Sequence, residues 1–110
     1  MLRAAALVWL LLVSAAWAAP DKDTLARGAY LAHLGGCFAC HTEKGGAPLA
    51  GGLALNTPFG TLYTPNITPD RATGIGAWSQ ADFLRALRQG IRPDGSPLYP
   101  AFPYPSFAVM

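Results

Sequence analysis

Charge is scarce in this chain of 110 residues: eight Lys and Arg stand against six Asp and Glu, 13% of the residues together. No basic tract is present. Nucleic acid is therefore not an expected partner, and no polybasic patch points to an anionic membrane surface. Cysteine and histidine occur twice each. A zinc site would need a second, separated pair of ligands beside Cys37 and Cys40, and the chain has none. No paired carboxylates and no nucleophile with an adjacent base are legible, so acid–base and acyl-transfer chemistry lack their residues. No internal repeat occurs, and no alternating run makes a convincing β-strand.

What is present begins with the first residues. Arg3 supplies a positive start. Ala4 to Val13 is an apolar run containing Leu10, Leu11 and Leu12, and Ala16-Trp17-Ala18 is a small-x-small cleavage site. This reads as a secretory signal peptide over residues 1–18, removed before Ala19. Its apolar stretch is short for a spanning helix. An uncleaved anchor extending to Ala19 is the alternative. The apolar fraction of 52% is inflated by this segment. Residues 19–110 then form one small domain with seven basic and six acidic residues, nearly neutral and too short to bury a large core. Export predicts a periplasmic protein.

Both cysteines fall in one phrase, Cys37-Phe38-Ala39-Cys40-His41. Two thiols three positions apart on a helical turn lie on one face. That face can offer both sulfurs to the two vinyl groups of one porphyrin, forming two thioether bonds. His41, next along, aims its imidazole at iron. C-x-x-C-H is thus the signature of covalent haem c attachment. A thioredoxin-like couple would want a βαβ frame, which the pattern lacks. A structural disulfide across so short a loop would be strained.

Two helices are predicted around this phrase. Asp23 can cap a helix from near Thr24, in which Leu25, Ala29 and Ala32 recur at helical spacing. Gly28 within it suggests close packing, and Gly35-Gly36 ends it. Residues 45–75 contain six glycines and four prolines. They read as a long ordered loop around a cofactor, anchored by Phe59, Tyr63 and Ile67. Ser79 and Asp82 approximate a capping box for a second helix, with Trp78 and Phe83 at the staple positions. Phe83, Leu84 and Leu87 make its apolar face, and Arg85, Arg88 and Gln89 its wet one. Asp82 and Arg85 are a favourable pair, and Gly90 stops the helix. Pro93-Asp94-Gly95 is a turn, and five prolines follow Ile91.

Iron held by one histidine has a sixth position to fill. Met110, the one methionine outside the signal segment, follows a proline-rich stretch able to hold a ligand rigidly. An ordinary exposed methionine is the alternative. His33 could ligate iron in a bis-histidine arrangement, but it precedes the attachment turn on the same side as His41 and reads as a surface residue. Trp78, Tyr63 and Tyr99 are candidates to pack on or hydrogen-bond near the porphyrin, though plain core packing is the better explanation of each one singly. A proline carbonyl to hold His41 is sought at Pro48.

Further phrases carry a family likeness. They are Arg27-Gly28-Ala29-Tyr30-Leu31-Ala32, Gly51-Gly52, Thr57-Pro58-Phe59-Gly60-Thr61, Asn66-Ile67-Thr68-Pro69-Asp70, Thr73-Gly74-Ile75-Gly76-Ala77-Trp78-Ser79 and Leu98 to Tyr104. Together they resemble the class I cytochrome c domains of the multi-haem subunits of membrane-bound bacterial alcohol, gluconate and sorbitol dehydrogenases. The resemblance implies a mostly α fold wrapped around one covalent haem, with Cys37 and Cys40 attached and His41 and Met110 on iron. It implies electron transfer, not catalysis, from a dehydrogenase subunit towards quinone or an oxidase, with membrane association through the complex. Family members place the methionine within Pro-Ala-x-Pro-Tyr, where this chain has Phe102, or several residues later, where it has Met110. They then continue into a C-terminal helix packed near Gly28 and Tyr30, and carry three such domains. The expectation here is one such domain at residues 19–110, truncated and lacking that helix. A haem sensor with an open sixth position is the alternative function.

Overall fold

A computed structural model of the chain describes residues 19–110. The signal-peptide expectation lies on residues 1–18, outside the described residues. Among the described residues three helices, one hairpin and a short 3-10 turn are joined by long loops, so their regular structure is mostly helical. Among the described residues no helix is long and apolar enough to cross a membrane.

Helix α1 runs Lys22–Leu34. Its cap is Asp21, not Asp23: Asp21 Oδ1 accepts the Thr24 N–H at 2.8 Å, and Oδ2 accepts the Thr24 hydroxyl at 3.1 Å. An N-cap oxygen reaches the second or third helical N–H, which places the cap three residues before Thr24. Asp23 instead sits in the first turn, where a negative charge suits the helix dipole. Gly28 does not have the close neighbour expected of it, since a Cβ there would meet nothing within 4 Å. Gly35 and Gly36 turn the chain into α2, Cys37–His41, which packs against α1.

The glycine-rich stretch is not all loop. Strands β1, Ala54–Thr57, and β2, Gly60–Tyr63, pair antiparallel with Ala54 opposite Tyr63 and Thr57 opposite Gly60. Pro58 and Phe59 make the turn, tied by Thr57, whose hydroxyl donates to the Gly60 carbonyl at 2.7 Å. Neither strand alternates apolar with polar residues along its four positions, so pattern alone missed them. The hairpin also carries two expected apolar anchors outward: Phe59 at its turn is 92% exposed and Tyr63 at the end of β2 69%. Ile67, the third, is half-buried.

Helix α3, Gln80–Gln89, follows its sequence signals. Ser79 Oγ accepts the Asp82 N–H at 3.1 Å, and Asp82 Oδ2 accepts the Ser79 N–H at 3.0 Å, closing the capping box. Gly90, left-handed, ends the helix. Arg85 departs from expectation. It is half-buried, lies 3.5 Å from Asp82 and donates to the Arg92 and Pro93 carbonyls at 3.2 Å each, stitching the helix to the turn that Gly95 closes. The 3-10 turn Tyr104–Ser106 packs against α3. Among the described residues the one buried apolar side chain is Ala86.

Candidate haem site

Cys37, Cys40 and His41 share α2. Cys37 is half-buried and Cys40 exposed, and both thiols are free. Burial pushes the Cys37 thiol up, with the neighbouring Cys40 thiol adding to the rise. Among the described residues no three His, Cys, Asp or Glu side chains converge, so the zinc alternative finds no ligand set. His33 is exposed and stacks on Phe38 with ring centroids 3.9 Å apart.

The imidazole of His41 is held from across the fold. Its Nδ1 lies 2.7 Å from the Pro65 carbonyl oxygen, 24 residues along the chain. A carbonyl only accepts, so Nδ1 carries the proton and Nε2 keeps its lone pair for a metal. The proline is Pro65, not Pro48. Pro48 is exposed beside Leu49, whereas the hairpin brings the chain back so that Pro65 reaches His41. Pro65 was legible only as a Thr-Pro step before the Asn66 phrase, because proximity over such a distance leaves no local trace.

The backbone around His41 is equally tied. The Gly51 N–H donates to the His41 carbonyl at 2.7 Å and the Ile67 N–H to the Leu49 carbonyl at 2.9 Å. Leu49 is the sole non-glycine residue with positive φ among the described residues, at 61°. Its N–H donates to Thr42 Oγ1 at 3.0 Å, which helps hold this costly conformation. The Asn66–Thr73 loop beyond Pro65 is closed by its own side chains. Asn66 Oδ1 accepts the Thr68 N–H at 2.8 Å, and Asp70 Oδ2 accepts the Thr73 N–H at 2.6 Å and its hydroxyl at 2.7 Å. Those Thr73 bonds hold the Asp70 carboxyl below its ordinary value.

Cys37 and Met110 line one apolar cavity of about 280 Å³ with Leu31, Phe83, Leu87 and Phe107. Met110 is 60% exposed, and its carbonyl accepts from Arg88. His41 and Cys40 do not line this cavity. A larger, shallower recess of about 560 Å³ lies at Trp78 and the first turn of α3, away from both cysteines. Tyr99 is 42% exposed.

Two free thiols on one short helix, an imidazole with one nitrogen engaged, and an apolar wall beside one thiol match what covalent haem attachment asks of a chain. No family model matches the chain. It is 58% identical over 84 residues to the gluconate 2-dehydrogenase cytochrome c subunit of Pantoea cypripedii, covering 76% of this chain and 19% of that one. It is 55% identical over 93 residues to the cytochrome c subunit of the alcohol dehydrogenase (quinone) of Komagataeibacter europaeus, covering 83% and 20%. The chain is homologous to the cytochrome c subunits of bacterial dehydrogenases. Similarity also reaches the fructose dehydrogenase cytochrome subunit of Gluconobacter japonicus, at 46% over 91 residues, 82% of this chain and 19% of that one. The chain spans about a fifth of the length of these three relatives.

Proposed function

We propose that residues 19–110 form a cytochrome c domain that carries one haem c and transfers electrons without catalysing substrate oxidation. Cys37 and Cys40 hold the haem covalently, His41 ligates iron through Nε2, and Met110 is the second ligand. Haem bound there supplies a one-electron iron(III)/iron(II) couple. The chain's part is to fix the imidazole, shield one face with apolar side chains and set the couple's potential. Electrons come from a dehydrogenase subunit and pass towards quinone or a terminal oxidase. The protein is exported to the periplasm and meets the membrane through its complex. The dehydrogenase relatives support the donor, and the first eighteen residues support export.

The observation that carries this reading is the 2.7 Å bond from His41 Nδ1 to Pro65. It presents Nε2 from the same short helix that bears both thiols. The test is the intact mass and absorption spectrum of the polypeptide exported from cells competent for cytochrome maturation. One added haem and a coloured, low-spin protein are expected; a colourless protein at its bare mass overturns the reading.

The 60% exposure of Met110 favours a second reading, a small-ligand binder with an open sixth position. A relay loses its methionine-to-iron band in Met110→Ala. Rapid carbon monoxide binding by the native protein would select the binder instead.

A further inference from the structure

We infer that Gly51 and Thr64 are positioning residues for His41: together they set where the Pro65 carbonyl stands and so how firmly the imidazole is held. The inference rests on the haem reading above.

Gly51 is buried and left-handed, with φ of 76°. Its N–H reaches the His41 carbonyl, while its other side lies flat against the Thr64–Pro65 peptide. A Cβ added there would meet the Thr64 carbonyl oxygen first and would stand 2.5 Å from the Pro65 carbonyl carbon and 2.7 Å from its oxygen. That oxygen is the one that accepts the His41 ring proton. Any side chain at position 51 therefore forces the Thr64 and Pro65 backbone to shift, the acceptor oxygen with it, and a shift away from the ring lengthens its hydrogen bond.

Thr64, the residue after β2, closes the same contact from the other arm of the hairpin. It is the one buried polar residue among those described. Its N–H donates to the Leu53 carbonyl at 3.0 Å, its carbonyl accepts the Gly52 N–H at 2.8 Å, and its Oγ1 accepts the Leu53 N–H at 3.0 Å. All three bonds clamp residues 52–53, next to Gly51, onto the peptide that ends in Pro65. Strands β1 and β2 continue the same ladder in register. The hairpin thus acts as a clamp that fixes one carbonyl.

The consequence is electronic. A ring N–H held by a good acceptor makes the other nitrogen a stronger donor to a metal. Stronger donation stabilises iron(III) over iron(II). Loosening the Pro65 bond therefore raises the reduction potential.

The experiment compares haem-loaded Gly51→Ala, Thr64→Val and Thr64→Ser with the native domain. Two quantities are read: the reduction potential and the proton resonance of His41 Nδ1–H. Gly51→Ala and Thr64→Val are expected to raise the potential, move the ring proton upfield and quicken its exchange with solvent roughly tenfold, about the worth of a hydrogen bond. Thr64→Ser keeps the hydroxyl and is expected to match the native protein. Phe59→Ala, at the 92% exposed turn of the same hairpin, controls for general disturbance and should leave both readings unmoved. If Gly51→Ala fails to accumulate, the Thr64→Val and Thr64→Ser pair decides. Haem-bearing variants whose potential and ring proton match the native values overturn the inference and leave the haem reading standing. A native polypeptide without haem overturns the haem reading itself.

Discussion

At the scale of single residues, the site is built from backbone groups more than from side-chain charges. Thr42 illustrates this. Its hydroxyl accepts the N–H of Leu49 at 3.0 Å, and Leu49 holds a left-handed conformation that its branched side chain disfavours. Thr42→Val leaves that N–H without a partner and is expected to cost about 1 kcal/mol of stability in denaturant unfolding of the haem-loaded domain, while Thr42→Ser costs little. An equal loss for both variants would mean that the methyl group matters and the hydroxyl does not. The proposed attachment residues needed only local reading: Cys37, Cys40 and His41 share the five-residue helix α2. Pro65, Gly51 and Thr64 were illegible for the opposite reason, since each acts on a residue that loop closure brings to it.

At the scale of elements, the two longer helices start with aspartate-based caps. Asp82 is drawn below its ordinary value of 3.8 first by the Ser79 hydroxyl, then by the Ser79 N–H, with Arg85 contributing least. Asp21 is lowered chiefly by the Thr24 N–H and then the Thr24 hydroxyl. A carboxylate whose value falls on folding stabilises the fold above its unfolded value and loses that contribution as pH drops through the folded one. Stability should therefore fall on acidification from about pH 5 downward. Ser79→Ala should destabilise the domain by about 1 kcal/mol near neutral pH. Its deficit relative to the native protein should shrink as pH falls from the ordinary value of 3.8 through the lowered folded value, where the native Asp82 takes up a proton. Urea unfolding of both proteins across that range checks the sign; a deficit that grows in acid contradicts it. These caps were readable because a capping box spans four residues. The cap of α1 was misplaced by two because Asp21 and Asp23 both offer an oxygen near Thr24, and the helical register decides between them. The hairpin was missed because Ala54–Thr57 and Gly60–Tyr63 do not alternate apolar with polar residues.

At the scale of the whole molecule, little of the described chain is buried by its own side chains. Ala86 is its one buried apolar residue, while Leu25, Leu31, Leu34 and Phe83 remain between 45% and 67% exposed. Apolar burial contributes about 25 cal/mol per Å². A small core gives too little of it to offset an ordering cost of about 1.5 kcal/mol per residue. A covalently attached porphyrin would add the missing apolar surface. Cys37→Ala, Cys40→Ala protein prepared without haem is accordingly expected to show no cooperative thermal transition and weak near-ultraviolet circular dichroism. A sharp transition in that protein would mean that the polypeptide alone carries its fold.

Composition and short-range spacing were enough to read the two principal helices and to point to the proposed attachment phrase, because those features depend on residues within one or two turns of each other. The identity of the carbonyl behind the imidazole, the hairpin that delivers it and the glycine that lets it approach depend on contacts across ten to twenty-four residues. Such contacts exist only once loops close, and loop closure is governed by the summed packing and hydrogen bonding of the folded chain, which no local pattern encodes.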